Sequence, residues 1–127
     1  VDSRVIRVDP ETGKRRKVFD TIADNAACAG LITGGRPVKP MDVDLRWIGA
    51  IVARNGLIEE TGVSAGVLNH PGNGIVWLAK RFAPHGISLE PGQVILGGSF
   101  TRLLSVERGD TFHADFGTLG SIGFRFV

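Results

Sequence analysis

The stretch that decides the fold is LRWIGAIVARNGLIEETGVS, residues 45–64. Two segments rich in apolar and β-branched residues flank Asn55-Gly56, a dipeptide that suits a two-residue turn because both positions tolerate a positive φ. The pattern predicts a β-hairpin that turns at these two residues. It is the clearest hairpin signal in the chain, and the rest of the fold is built outward from it.

Further strands are predicted on both sides of the hairpin. Residues 111–117 and 121–127 alternate apolar with polar side chains, so each would bury one face in a closing pair of strands. Shorter apolar runs predict additional strands near 1–8, 31–33, 93–98 and 103–106.

Two helices complete the predicted architecture. Apolar residues recur every three or four positions from residue 17 to 29 and again from 71 to 82, where Pro84 and Gly86 would end the second helix. We therefore expect residues 1–127 to form a single unit of the α+β class that is mostly β.

Composition excludes several classes of protein. Charged residues make up 22% of the chain and hydrophobic residues 43%, which is typical of globular domains. A net charge of +2 is too small to indicate nucleic-acid binding. Apolar stretches fall short of the roughly 18 residues that would cross a bilayer, and the N-terminus lacks a secretory pattern. These features predict a cytoplasmic location without membrane or nucleic-acid partners.

Cys28 is the only cysteine, so no intrachain disulfide can form, and its small apolar neighbours predict a buried, inert thiol. The chain begins with Val1 and its only methionine is Met41. We therefore expect that residue 1 is not a translation start and that sequence upstream of it is missing.

Three polar sites interrupt apolar elements. Asp24 and Asn25 lie in FDTIADNAA, and two interpretations of this stretch are open. One is a surface helix with a capping Asp; the other is a general acid or base beside an amide that orients a carbonyl group. His70 precedes Pro71 at the start of a helix, which favours a structural turn, and no zinc-type histidine or cysteine spacing occurs in the chain.

The third site is QVILGGSFTR, residues 93–102. Gly98 and its neighbouring glycine would let a ligand approach the backbone, and the hydroxyls of Ser99 and Thr101 would add donors. Arg102 would grip a carboxylate with two hydrogen bonds. A β-bulge at the rim of a sheet explains the glycines equally well.

Four long segments closely resemble a known family over essentially the whole chain: KVFDTIADNAACAG, RNGLIEETGVSAGVLNHPGNGIVWLAKRFAP, VILGGSFTR and GDTFHADFGTLGSIGFRFV. They resemble the 2-oxo-hept-4-ene-1,7-dioate hydratases of bacterial homoprotocatechuate (4-hydroxyphenylacetate) breakdown. This family belongs to the hydratase and decarboxylase group of the fumarylacetoacetate hydrolase superfamily, and the match covers only the C-terminal part of a family member.

The resemblance implies a mixed β-roll or barrel with outer helices, and a metal-dependent lyase that adds water to a small anionic 2-oxo acid. It implies Mg²⁺ held by carboxylates upstream of Val1, with none of the metal ligands in this sequence. The metal would chelate the 1-carboxylate and 2-oxo groups of the substrate. A homo-oligomer is also expected.

The resemblance further implies roles for individual residues. Asp24 and Asn25 would serve proton transfer, water positioning and carbonyl orientation, and Gly98, Ser99 and Thr101 would cradle a substrate carboxylate. Arg102 as partner of the distal carboxylate is inferred from its charge and position. Decarboxylation of a 4-oxalocrotonate-type substrate on the same fold, and a non-catalytic chain without the metal-binding half, are the alternatives.

Overall fold

The structure, a computed structural model, describes residues 12–15, 17–23, 25–34 and 36–127. The chain divides into two compact units, Val1–Thr33 and Gly34–Val127. The strand predicted near residues 1–8 lies outside the described residues. The interpretation of residues 1–127 as a single unit stays a prediction.

The predicted central hairpin is confirmed. Strand β1, Gly49–Arg54, pairs antiparallel with strand β2, Leu57–Val63. Asn55 and Gly56 join them with φ angles of 52° and 83°, the positive values that the sequence suggested. The register shifts between Val52 and Ala53, so β2 carries one extra residue, a β-bulge that increases the local twist.

The two closing strands join the hairpin in one sheet. Strand β3, Thr111–Asp115, pairs antiparallel with β1 and with strand β4, Ser121–Arg125, so the strand order is β2-β1-β3-β4. Each closing strand buries its apolar face more than its polar face, as the alternation predicts. The mostly β, α+β class is therefore confirmed.

The core of the second unit is small and lies on this sheet. Phe112 is buried, and its ring stacks on Phe124 at 5.6 Å and meets Phe126 edge-on at 5.7 Å. Among the described apolar residues, only Ala50 and Phe112 are buried. Three aromatic rings, on β3, on β4 and just after β4, thus pack together on this pair of strands.

In the first unit, the helix predicted over residues 17–29 is shorter than expected. Helix α1 spans Val18–Ala23, and Asn25–Ala27 form a separate 3₁₀ turn. Asn25 and Ala26 have positive φ values, which an α-helix cannot accommodate. The Asp20 carboxylate accepts the Lys17 backbone N–H at 2.7 Å and so caps the start of α1.

The helix predicted over residues 71–82 is confirmed. Helix α2 spans Gly72–Phe82, with Pro71 just before its first turn. A 3₁₀ turn, Ala83–His85, follows, and Gly86 ends the element in the left-handed conformation.

Three predicted strands are not formed by this chain. Residues 31–33, 93–98 and 103–106 have no regular secondary structure. Strand-like sequence forms a strand only where a neighbouring strand accepts and donates its backbone hydrogen bonds. Within the described residues, none of these segments has such a neighbour. Among the described residues no helix is long and apolar enough to cross a membrane.

Candidate functional site

The loop of residues 97–102, hereafter the glycine–hydroxyl loop, is held against the segment that precedes α2. A Cβ atom on Gly98, whose φ is +114°, would lie 3.3 Å from Val67 Cγ1, and one on Gly97 would lie 3.7 Å from the Pro71 carbonyl oxygen. Gly98 therefore allows close packing of one chain segment on another, whereas the contact at Gly97 is an ordinary van der Waals distance. The two glycines do not mark a bulge, since residues 97 and 98 belong to no strand.

The same loop also packs directly onto strand β2. A Cβ atom on Gly62 would lie 2.1 Å from the Phe100 carbonyl oxygen, a separation that no real side chain could keep. Glycine at position 62 is thus required for the loop to rest on β2. A glycine inside a strand signals such a close backbone approach, but the sequence analysis did not select Gly62.

The structure brings the two predicted hydroxyl residues together. Ser99 Oγ donates to the Thr101 carbonyl oxygen at 2.8 Å and accepts the Thr101 backbone N–H at 3.3 Å. Thr101 Oγ1 lies 3.4 Å from Ser99 Oγ. This local turn fixes both hydroxyls in one place. The Ser99 proton is used within the turn, so of the two hydroxyls only that of Thr101 can donate to an oxygen acceptor such as a carboxylate.

Arg102 extends from the end of this loop to a buried carboxylate on β2. Its Nε donates to Glu60 Oε1 at 2.7 Å, its Nη2 forms an ion pair with the same oxygen, and its backbone N–H points to Oε2 at 3.4 Å. Glu60 is 9% exposed, whereas the Arg102 side chain is 79% exposed. The charge that was expected to bind a substrate carboxylate therefore also neutralises a carboxylate of the protein.

Glu60 was missed by the sequence analysis because it occupies an ordinary strand position in the hairpin. Hydrogen bonding from the Arg102 side chain holds the pKa of the Glu60 carboxyl below its usual value, although burial acts in the opposite direction. The carboxylate is therefore ionised at neutral pH and anchors the glycine–hydroxyl loop to the sheet.

Of the predicted catalytic pair, Asp24 lies outside the described residues. Asn25 lies in the first unit with a φ of 48° and is exposed. Its Nδ2 donates to the Cys28 carbonyl oxygen at 3.4 Å, a contact that closes the 3₁₀ turn. Cys28 is exposed, so the prediction of a buried thiol was wrong. The residue follows the 3₁₀ turn and belongs to no helix or strand that could turn its side chain towards a core.

His70 has a structural role at the start of α2, as the sequence favoured. Its Nδ1 accepts the Gly72 backbone N–H at 3.0 Å, and its carbonyl oxygen accepts the Asn73 N–H at 2.9 Å. Two of the N–H groups that a helix leaves unpaired at its N-terminus are therefore satisfied by this one residue.

An open groove of about 700 Å³ lies beside the loop, at the ends of β1, β2 and β3. Gly62 is part of its lining and also contacts Phe100, so the groove and the glycine–hydroxyl loop share a wall. The remaining lining is mostly apolar and comes from residues 47–51, 61 and 115–118. Such a surface can hold the carbon chain of a small organic molecule.

The described residues do not form a metal centre by themselves. No three His, Cys, Asp or Glu side chains of this part of the chain come close enough to share an ion. Hard divalent ions need several oxygen ligands, and Glu60 is already paired with Arg102.

Comparison with known proteins confirms the resemblance noted in the sequence. The chain is 63% identical over all its 127 residues to a 2-oxo-hept-4-ene-1,7-dioate hydratase of Escherichia coli, and covers 48% of that protein. It is 37% identical over 110 residues to a 4-oxalocrotonate decarboxylase of Pseudomonas putida, and covers 42% of it. No family model matches the chain.

Solved structures agree with these sequence relatives. The 4-oxalocrotonate decarboxylase of Pseudomonas putida G7, complexed with magnesium and adipate, matches 86% of the chain with a TM-score of 0.80 and 36% identity. The same enzyme complexed with calcium and acetate gives a TM-score of 0.79. The chain covers 41% and 42% of these two chains, so it spans less than half the length of its relatives.

Proposed function

We propose that this chain, homologous along its entire length to a 2-oxo-hept-4-ene-1,7-dioate hydratase, is part of a lyase that adds water to a 2-oxo-alkenedioate. The single observation that carries this proposal is the 63% identity over all 127 residues. Because the chain spans about half of that relative, the activity belongs to a larger polypeptide or assembly of which these residues form one part.

We assign substrate binding to the glycine–hydroxyl loop. Ser99 and Thr101 present their hydroxyls side by side, and Gly98 lets the loop that carries them pack closely on Val67. A substrate carboxylate would accept hydrogen bonds from this loop. The distal carboxylate would share the exposed Arg102 guanidinium with Glu60, and the groove beside Gly62 would hold the carbon chain.

We assign proton transfer and water positioning to Asp24 and Asn25. The support is chemical: a carboxyl group can move a proton and an amide can orient a carbonyl group or a water molecule. The exposed position of Asn25 leaves its carboxamide oxygen accessible.

Magnesium is the cofactor in this proposal. The support is that solved relatives are complexed with magnesium or calcium. The described residues hold no cluster of metal ligands. In this proposal the ligands are carboxylates upstream of Val1, as the resemblance implies, and the roles given above involve only side chains of this chain.

Four further features of the proposal are supported by the resemblance of the sequence to the hydratase family. They comprise a fumarylacetoacetate hydrolase-like β-roll, of which this sheet is one part, a homo-oligomeric assembly, a cytoplasmic location and a place in aromatic-compound catabolism.

A second candidate is decarboxylation of a 4-oxalocrotonate-type acid. Its specific support is the match to a decarboxylase structure that holds adipate, a six-carbon dicarboxylate. Mass spectrometry separates the two reactions, because decarboxylation releases carbon dioxide whereas hydration adds the mass of one water molecule.

The test uses a polypeptide in which this chain replaces the matched part of the Escherichia coli relative. With magnesium and 2-oxo-hept-4-ene-1,7-dioate, we expect conversion that is followed by the absorbance of the conjugated form and by mass spectrometry. Ser99→Ala and Asn25→Ala should lower kcat/KM about 10- to 100-fold. The first variant loses the hydroxyl that holds the proposed substrate loop in its turn, and the second loses the amide that orients the carbonyl group or the water molecule.

Ser88→Ala serves as the matched control, since Ser88 is an exposed serine outside the loop. Circular dichroism should show the same folding for all three variants. Unchanged turnover in Ser99→Ala and Asn25→Ala would remove those residue roles, and absence of conversion in the parent polypeptide would refute the hydratase assignment.

A further inference from the structure

Glu60 and Arg102 form an ion pair of unequal partners. Arg102 Nε donates to Glu60 Oε1 at 2.7 Å, and Nη2 forms an ion pair with the same oxygen. The Glu60 side chain is 9% exposed on β2, whereas the Arg102 side chain is 79% exposed. The buried partner is therefore fixed by the sheet, and it determines where the exposed guanidinium lies.

The pair lies on the face of β2 that the glycine–hydroxyl loop covers. Residues 60 and 62 are two positions apart on the strand and therefore share a face. Gly62 meets the Phe100 carbonyl oxygen and also lines the groove beside the loop. The Arg102 guanidinium is thus held on the same face of the strand as the proposed substrate loop.

An arginine in this position can serve two carboxylates. Its guanidinium carries five N–H donors in a rigid fork, which is more than one carboxylate oxygen engages. An exposed arginine side chain usually samples many rotamers, and a ligand that fixes it must offset the lost freedom. Because Glu60 already fixes Arg102, a second carboxylate would meet a guanidinium that is oriented in advance.

We propose that Glu60 is a positioning residue that makes the site selective for acids with a second carboxylate. It acts through Arg102 and does not itself touch the substrate. An acid with one carboxylate has no group for Arg102, so its binding does not depend on Glu60. This inference rests on the proposed function, in which Arg102 receives the distal carboxylate, and it names the residue on which that selectivity depends.

The first test is the binding of two six-carbon acids, adipate with two carboxylates and hexanoate with one. Isothermal titration calorimetry uses the hybrid polypeptide described above, in which this chain replaces the matched part of the Escherichia coli relative, with magnesium. We expect adipate to bind at least about tenfold more tightly than hexanoate, because charge-assisted hydrogen bonds hold its second carboxylate. Glu60→Ala should reduce this ratio to below about threefold by weakening the binding of adipate alone.

Two conservative variants separate orientation from charge. Glu60→Gln keeps a side-chain oxygen that can accept a hydrogen bond from Arg102 Nε, so it should retain most of the ratio. Glu60→Asp keeps the charge but withdraws the carboxylate by one methylene group, so it should lower the ratio at least about threefold. Circular dichroism checks that each variant folds, and Glu60→Asp supplies the measurement if Glu60→Ala does not fold.

Turnover gives a second readout. In Glu60→Ala, kcat/KM for 2-oxo-hept-4-ene-1,7-dioate should fall at least about tenfold, mainly through KM, whereas kcat/KM for 2-oxo-hept-4-enoate, which lacks the distal carboxylate, should change less than about twofold. Glu59→Ala is the matched control, since the Glu59 carboxylate on β2 also pairs with an arginine, Arg54, at 2.9 Å and does not line the groove. It should leave the selectivity for the second carboxylate unchanged.

Three results would overturn the proposal. They are equal binding of adipate and hexanoate by the unaltered hybrid polypeptide, equal weakening of both acids by Glu60→Ala, and loss of the ratio in Glu60→Gln with its retention in Glu60→Asp. The second result would leave Glu60 only as an anchor of the loop. Because calorimetry needs no turnover, selective adipate binding without conversion of the dioate would refute the hydratase assignment and support the role of Glu60.

Discussion

At the scale of single residues, the candidate site depends on Gly62, which has no side chain. The Phe100 carbonyl oxygen occupies the space where any residue other than glycine at position 62 would place its Cβ atom. Two residues back along β2, the Glu60 carboxylate holds Arg102, so both ends of residues 100–102 are fixed to one strand. The position of the proposed substrate loop is thus determined by two residues of the hairpin.

Gly62→Ala should therefore displace the loop. The added methyl group must push the Phe100 backbone away, which should lower the free energy of unfolding by about 1–3 kcal/mol, as overpacked sites do. Chemical denaturation measures this loss.

Gly49→Ala is the matched control in the paired strand, because a Cβ atom there meets its nearest neighbour at 3.9 Å. An equal loss of stability in the two variants would contradict the steric explanation.

At the scale of elements, the turn between β1 and β2 also binds the beginning of β3. Asn55 Nδ2 donates to Asp110 Oδ1 at 2.7 Å, and Asn55 Oδ1 accepts the Thr111 backbone N–H at 2.9 Å. The Asn55 backbone N–H donates to the Thr111 carbonyl oxygen at 2.8 Å. One residue thus forms the β1–β2 turn and fixes the beginning of β3 beside it.

Two variants at position 55 separate these roles. Asn55→Gly keeps the positive φ but loses the side-chain hydrogen bonds, so it should cost about 1–2 kcal/mol of stability. Asn55→Ala also forces alanine into the left-handed region and should cost roughly 1 kcal/mol more. Thermal and urea unfolding measure both; equal losses would mean that backbone strain contributes nothing here.

At the scale of the whole molecule, a few long-range polar contacts compensate for a small apolar core. The Arg102–Glu60 pair joins residues 42 positions apart, and Arg54 Nη1 donates to the Ser105 carbonyl oxygen at 3.2 Å across 51 positions. These contacts hold the irregular segment that follows α2 against the hairpin. The strength of the Arg102–Glu60 pair depends on an ionised carboxylate and hence on pH.

Stability should fall on acidification. Since folding lowers the pKa of Glu60 from its ordinary value of 4.5, its contribution is fully present above about pH 4.5 and is lost as the pH falls through the lower folded-state pKa. Asp110 acts in the same direction, because the Asn55 side chain and the Glu107 backbone N–H donate to it and lower its pKa.

Glu60→Gln should reduce the free energy of unfolding at neutral pH and weaken its acid dependence, leaving the part due to Asp110. Urea midpoints measured from pH 3 to pH 7 test this expectation. Arg102→Gln should also reduce the free energy of unfolding, and the double variant should lose less than the sum of the two single variants, since each of them removes the Arg102–Glu60 pair. An unchanged pH profile in Glu60→Gln would exclude the pair as its source.

Part of the candidate site was predictable because its chemistry is local. Ser99, Thr101 and Gly98 follow one another in the chain, so the sequence alone brings them together. Glu60 and Gly62 were missed because their roles depend on which distant segment crosses β2. His70 was predicted to have a structural role because it immediately precedes Pro71, and its hydrogen bond with the Gly72 N–H agrees with that role.

The sequence by itself determined the hairpin, the closing strand pair, helix α2 and the mostly β class, because turn residues and apolar periodicity act within a few residues of the chain. Only the tertiary structure decided that residues 93–98 and 103–106 are not strands in this chain and that Arg102 pairs with Glu60. A strand needs a partner strand and an ion pair needs a partner charge. These partners come from distant parts of the chain and not from residues that are adjacent in sequence.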